Sequence, residues 1–348
     1  MSSAVMWTPG EIVGVAFSIP LTSFVVAIFV ALVLEAWRSR PSEGASVRRA
    51  ASATIDRTGA VGVRHRPELI AVVVIAAAVV CTHLLDFVLR SYVLNTSGST
   101  ASLRFALPVI VASLGLAGLA ALVVVRGSAA SVIPVTPSVR RTWLTFSRRR
   151  DLVVAALVAT VLAATTVAAG LASSTDPQGQ HIWLVVPVPN VDAVDPLRLH
   201  FYGWTYGVPV LIALAALLIS LAALLRVNAA RPFLSPDTVA AERLARRSIA
   251  STAARIAAAA LGLALAGAWR LIASTGSVTS LVITGQNDGH PYESAWRYAE
   301  LAAAAGWAAP VLEIAAYATL LVVVIGMPRR LPLSARTTDR SDTVGARR

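Results

Sequence analysis

The sequence predicts an all-α, polytopic membrane helix bundle with seven transmembrane helices, an outward N-terminus and a cytoplasmic C-terminus. Three observations support this prediction. Hydrophobic residues make up 56% of the 348 residues, charged residues only 14%, and the mean hydropathy is +0.71. Apolar stretches of membrane-crossing length recur, and arginine-rich connections alternate with arginine-poor ones. Because a soluble domain needs more charge to cover its surface, this composition indicates lipid as the solvent.

Seven apolar stretches are long enough to cross a bilayer. A helix rising about 1.5 Å per residue needs roughly 20 apolar residues to span the hydrocarbon layer. The first stretch is not a cleavable signal peptide, because no basic segment precedes it and it is too long. The predicted spans are residues 11–37, 68–92, 104–125, 152–173, 205–226, 250–273 and 301–327.

The distribution of arginine predicts the orientation. All 30 basic residues are arginine, and 24 of them fall in the segments 38–67, 126–151, 226–249 and 328–348. The positive-inside rule places these four segments in the cytoplasm. Residues 1–327 are then predicted to form one bundle, and 328–348 a basic, disordered cytoplasmic tail. The net charge of +12 is explained by topology, so no nucleic-acid partner is needed.

The connections on the opposite side are longer than a simple turn requires. Residues 174–204 and 274–300 each combine a β-branched run with a turn-forming cluster, Pro189-Asn190 in one and Asn287-Asp288-Gly289 in the other. Such patterns are typical of short strands. We therefore expect a small outward cap in which strands of the two loops pack on each other. Inside the cell, Ser235-Pro236-Asp237 predicts the start of a helix that continues into the sixth span.

Prolines and small residues suggest an internal repeat. The odd-numbered spans each carry one proline in the outer half, at Pro20, Pro108, Pro209 and Pro310, and the even-numbered spans carry none. Residues 103–130 can also be aligned with 206–230. A helical hairpin duplicated in one orientation would explain both patterns, as in some transporters. Alanine-rich helices align easily by chance, so both explanations stay open.

The stretch THLLDFVLR at 82–90 places three ionisable residues inside an apolar span. His83, Asp86 and Arg90 lie on one helical face at 100° per residue. One interpretation is structural: Arg90 neutralises Asp86, and Asp86 orients His83. The other is functional, since a histidine beside a carboxylate can exchange a proton near neutral pH.

Glu313 lies near the centre of the seventh span. An unpaired carboxylate there costs several kcal/mol, so we expect it to be protonated, paired or facing water. Small residues on the same face, with Tyr317 one turn away, predict that this face points into the bundle. Arg270, near the outer end of the sixth span, is the expected partner, with Asp86 competing for it. The candidate substrate-binding or proton-binding residues are therefore Glu313, Asp86, His83, Arg270 and Tyr317.

The sequence predicts no catalytic residues, no metal site and no cofactor. It contains no HExxH or GxSxG motif, and His181, His200 and His290 lack metal-ligand spacing. Without lysine, neither a retinal Schiff base nor a Walker A loop is possible. The leading hypothesis is a transporter, or a membrane subunit of one, in the cell membrane. A cytoplasmic ATPase on another chain would supply any ATP-derived energy. The alternative is a membrane sensor whose basic loops dock a regulatory protein, and an intramembrane enzyme ranks third.

Overall fold

The computed structural model describes residues 20–39, 58–90, 102–127, 142–143, 145–188, 195–233, 236–282 and 290–326. Among these residues, seven helices are long and apolar enough to cross a membrane, which confirms the predicted helical bundle and its seven candidate spans. They are α1 (Pro20–Ser39), α2 (Thr58–Val88), α3 (Leu107–Gly127), α4 (Arg149–Ala172), α5 (Trp204–Ala230), α6 (Val239–Gly276) and α7 (Ala299–Gly326). Their orientation across the membrane stays a prediction.

Two helices begin about ten residues earlier than hydropathy indicates. α2 has 31 residues and α6 has 38, which corresponds to lengths of about 46 and 57 Å at 1.5 Å per residue. A hydrocarbon layer is about 30 Å thick, so both helices extend beyond it. α6 follows a 3-10 turn at Pro236–Thr238 and runs without a break from Val239, with Thr238 as its N-cap; the predicted cap, Ser235, lies outside the described residues. The residues added to α2 and α6 carry charges that composition alone assigns to loops.

The proline prediction is partly wrong. Because α2 begins at Thr58, it contains Pro67, so an even-numbered helix does carry a proline. Pro20 and Pro108 are the first and second residues of α1 and α3, where the missing N–H costs no helical bond. Only Pro209 and Pro310 interrupt the hydrogen bonding of odd-numbered helices from within. The internal repeat stays a prediction.

Short strands form in both predicted loops. β1 (Ser174–Thr175), β2 (His181–Val186) and β3 (Leu197–His200) make an antiparallel sheet, and β4 (Ser280–Leu281) pairs with β5 (Tyr292–Glu293). Pairing occurs within each loop, so the two sheets are separate, and an edge-to-face contact between Phe201 and Trp296 at 5.5 Å connects the loops. We call this end of the bundle the sheet end, and the opposite end the arginine end.

The core is built around α6. This helix packs against α2, α3, α4, α5 and α7, and most of residues 249–268 are buried on every side. α1 packs on the outer side of the bundle against α7. Small residues allow close approach of α6 and α7: a Cβ atom at Gly306 would lie 3.0 Å from Cβ of Ala273. This close pair of helices carries Arg270 and Glu313.

Candidate functional site

Glu313 and Arg270 form an ion pair between α7 and α6. The carboxylate oxygen Oε2 of Glu313 accepts a hydrogen bond from Nη2 of Arg270, and Nη2 also donates to the hydroxyl of Ser23 on α1 at 3.2 Å. Glu313 is 2% exposed and Ser23 is fully buried. The pair that sequence order predicts is therefore present, and it joins three helices at one point.

His83 and Tyr317 complete the surroundings of this pair. Nε2 of His83, on α2, lies 4.0 Å from Oε1 of Glu313. The ring of His83 is 5.9 Å from the ring of Tyr317, which also meets Phe24 of α1 edge to face at 5.2 Å. The buried hydroxyl of Tyr317 makes no hydrogen bond to any residue that the structure describes. Four of the five candidate residues thus meet in one place, between α1, α2, α6 and α7.

Asp86 lies one turn from His83 but has a different partner. Its Oδ1 accepts a hydrogen bond from Nε of Arg90 at 2.8 Å, as predicted. The rest of the predicted ladder is wrong within the described residues, because His83 faces Glu313 across the helix interface and makes no bond to Asp86. Asp86 also does not compete for Arg270. The local i,i+4 geometry of Asp86 and Arg90 explains this choice.

A cavity of about 940 Å³ connects these groups with the sheet end. At the sheet end it is bordered by Arg90, Arg104 and Ser277, and at its inner limit by Glu313 and His83. The wall between them is mainly apolar and includes Phe87, Phe105, Leu271, Trp307, Val311 and Ile314. The cavity therefore borders ionisable groups inside the bundle.

Pro310 shapes the wall of this cavity. It has no N–H to donate to the carbonyl of Gly306, four residues earlier in α7, and both residues line the cavity. A backbone acceptor without its helical donor is expensive in lipid but acceptable where it faces a cavity or a ligand. The proline that sequence analysis singled out thus lies one turn before Glu313, beside the open space.

Arg104 is a cavity residue that sequence reasoning missed. It precedes α3, and its guanidinium lies over the rings of Phe105 and Tyr206, with its Cζ 4.2 and 5.6 Å from their centroids. Burial lowers the pKa of Arg104 from its ordinary value, and Tyr206 and Asp86 partly oppose this effect. The sequence contains a signal that sets this residue apart. Arg104 lies outside the four arginine-rich segments and has no acidic residue within ten positions on either side.

Aromatic residues support the position of Arg104. The rings of Phe105, Tyr202 and Tyr206 are mutually in contact, with centroids 5.1 to 6.2 Å apart. Tyr202 also shares a hydrogen bond with Thr166 of α4 at 3.3 Å. Burial raises the pKa of Tyr202 to about 12, so its hydroxyl stays protonated. These contacts fix the base on which the guanidinium of Arg104 lies.

A second buried cluster of charges lies at the arginine end and was also missed. Glu68 on α2 pairs with Arg231 at 2.5 Å and with His65 at 2.7 Å. On α6, Glu242 pairs with Arg246 at 2.9 Å. Arg246 donates to the carbonyl oxygens of Arg231 and Pro232 at 2.6 and 2.9 Å. These side chains are at most 4% exposed, and we call them, with Arg64, the arginine-end network.

Known proteins offer no guide to this site. Comparison with protein-family models, curated proteins and solved structures finds no match to the chain. Within the described part of the chain, no three histidine, cysteine, aspartate or glutamate residues are placed to hold a metal ion. The geometry of the cavity therefore carries the functional interpretation alone.

Proposed function

We propose that the protein is a transporter, or the membrane subunit of a transport system, and that it binds its substrate in the cavity at Glu313. The observation that carries this proposal is the cavity itself, which extends from the sheet end to an ionisable pair inside the bundle. Ionisable residues within membrane helices are costly, and those that reach a cavity are typical of substrate and proton pathways.

In this proposal the residues around the cavity have distinct roles. Glu313, with His83 4.0 Å away, accepts a proton or a polar group of the substrate. Arg270 pairs with the carboxylate, so a proton or a cationic group of the substrate would compete with this pair. Tyr317 lies behind His83, buried and outside the cavity lining, and its hydroxyl has no partner among the described residues.

The sensor is the second candidate, and one observation favours it. Both loops at the sheet end fold into sheets and meet through Phe201 and Trp296. A Cβ atom at Gly276 would lie 3.0 Å from the ring of Trp296, beside Ser277 of the cavity border. A ligand in the cavity could thus alter the loops without crossing the membrane. In either function the protein resides in the cell membrane and works with a cytoplasmic partner, an ATPase or a regulatory protein.

Access to the cavity from each side of the membrane separates the two functions. A transporter must expose its site to both sides in turn, whereas a sensor needs to expose it to one. The single cysteine, Cys81, is removed as Cys81→Ser, and Ile314→Cys then places a thiol in the cavity beside Glu313. A membrane-impermeant maleimide is applied to right-side-out and to inside-out vesicles.

We expect Ile314→Cys to react from both sides in the transporter. Ser277→Cys at the sheet end should react from the sheet side only. Leu157 is 62% exposed on a face of α4 that we expect to meet lipid, so Leu157→Cys should react from neither side. Reaction of Ile314→Cys from the sheet side alone would contradict transport and favour the sensor. Because the assay needs no substrate, it applies before one is identified.

A further inference from the structure

The cavity carries one positive charge that no described residue balances. It is bordered by three arginines and two carboxylates, and each carboxylate is already engaged: Asp86 by Arg90 and Glu313 by Arg270. Arg104 makes no ion pair with a described residue, and its guanidinium contacts the faces of Phe105 and Tyr206. An arginine held over aromatic rings keeps its hydrogen-bonding edge available for a carboxylate or a phosphate.

The rest of the cavity defines the other part of a ligand. Phe105 lies under Arg104, Phe87 is a further aromatic residue of the lining, and Trp307, Val311 and Ile314 form one wall on α7. Trp307 and Val311 are 71% and 67% exposed, as expected for residues that face lipid tails. An apolar body fits this wall, and a cavity of about 940 Å³ is within the range that holds a drug-sized molecule.

We propose that the ligand of this cavity is an amphiphilic monoanion, with its acid group on Arg104 and its apolar chain along α7. This inference rests on the proposed function and names its substrate class. A second acid group on the chain would approach Glu313 at the inner end, where two carboxylates repel each other. Arg90, a second arginine at the sheet end of the cavity, adds to the positive potential at the acid group.

Such a molecule has two sources: an acid dissolved in water, or an anionic lipid of the bilayer. The two share their recognition chemistry, so a soluble probe is the first choice. Octanoate carries one carboxylate on an unbranched chain. Octanol and octylammonium have the same chain with a neutral or a cationic end, and they therefore isolate the contribution of the charge.

The experiment measures binding of radiolabelled octanoate to the full-length protein in phosphatidylcholine nanodiscs, with empty nanodiscs as the blank. We expect saturable binding of radiolabelled octanoate. Octanol and octylammonium should displace it at least tenfold more weakly than unlabelled octanoate does. Arg104→Gln should weaken octanoate binding about tenfold, because a hydrogen-bonded charge pair is lost. Arg104→Lys should restore part of it, and Arg198→Gln, an exposed arginine on β3 at the same end, should change nothing.

The proposal fails if octanol competes as well as octanoate does, a result that does not depend on any variant folding. It also fails if folded Arg104→Gln binds octanoate like the wild type. Adding phosphatidylglycerol to the nanodiscs identifies the source: loss of octanoate binding assigns the cavity to an anionic lipid, and unchanged binding assigns it to a water-borne acid. If octanoate binds as expected but Ile314→Cys is labelled from one side only, transport is rejected and the ligand class is kept. If Ile314→Cys is labelled from both sides but octanoate does not bind as expected, transport is kept and the ligand class is rejected.

Discussion

The two ends of the bundle contain charge clusters of the same composition and opposite character. Each has three arginines, two carboxylates and one histidine. The sheet-end cluster is Arg90, Arg104, Arg270, Asp86, Glu313 and His83, and the arginine-end network is Arg64, Arg231, Arg246, Glu68, Glu242 and His65. In the first, the side chains of Arg270 and His83 are 18% exposed and line a cavity. In the second, no side chain is more than 11% exposed.

The difference lies in the surroundings of the arginines. At the arginine end, the two closely paired arginines also donate to backbone carbonyls: Arg246 to those of Arg231 and Pro232, and Arg231 to that of Arg126 at 3.5 Å. The guanidinium of the third, Arg64, is buried 3.8 Å from Glu242 and makes no hydrogen bond within the described residues. At the sheet end the guanidinium of Arg104 faces the cavity. Charge composition therefore does not distinguish the two clusters, whereas contact with a cavity does. The following substitutions test this distinction.

Glu68→Gln should have the largest effect on stability. It leaves Arg231, which is 4% exposed, without its carboxylate, and breaking a buried pair from one side costs about 3 kcal/mol or more. We expect the free energy of unfolding in detergent micelles, measured by denaturant titration, to fall by this amount. Glu300→Gln, an exposed acid in the first turn of α7, is the control and should change it by less than about 1 kcal/mol. Equal stability of Glu68→Gln and wild type would mean that the network does not hold the helices together.

Glu313→Gln should have a smaller effect on stability and a larger one on function. Removing the carboxylate leaves Arg270 next to a cavity and to Ser23. Because the guanidinium can be solvated there, we expect a loss of about 1 to 2 kcal/mol, below that of a fully buried pair. If Glu313 binds the substrate or proton, the folded variant should also lose labelling of Ile314→Cys from one side. A variant that keeps both-sided labelling would show that Glu313 only packs the bundle.

The sequence predicted the parts of this molecule that a bilayer dictates. Its thickness sets the helix length, so hydropathy located seven helices, and the rarity of charge inside a span made Glu313, His83 and Asp86 stand out. Small residues on one face of α7 predicted that this face points into the bundle, and sequence order indicated Arg270 as the partner of Glu313. Except for the choice of Arg270, these are local patterns, visible within one or two turns.

The remaining features depend on contacts between distant residues. Glu68 and Arg231 are 163 positions apart, and both lie next to stretches whose arginine content is typical of solvated loops. Because α2 and α6 extend past the hydrocarbon layer, these charges fall inside a packed helix bundle that hydropathy cannot detect. Arg104 is the first residue of the predicted span 104–125, where an arginine is ordinary. Its place beside the cavity depends on Tyr206, which is 102 residues away in the chain.

Asp86→Asn should have the smallest effect on stability of the three substitutions. It is also the most direct test of the difference between the sheet-end cluster and the arginine-end network. Asp86 and Arg90 form a partly exposed i,i+4 pair, with side chains 21% and 22% exposed. Such pairs contribute about 0.3 to 0.5 kcal/mol, so the unfolding free energy should hardly change. The cavity, however, loses one of its two carboxylates. The excess positive charge of the cavity then rises, so octanoate should bind about threefold more tightly. Even a well-screened charge contributes several tenths of a kcal/mol to the binding free energy of a nearby ion. Unchanged or weaker octanoate binding in folded Asp86→Asn would show that the charge of the sheet-end cluster, like that of the arginine-end network, serves the fold rather than a ligand.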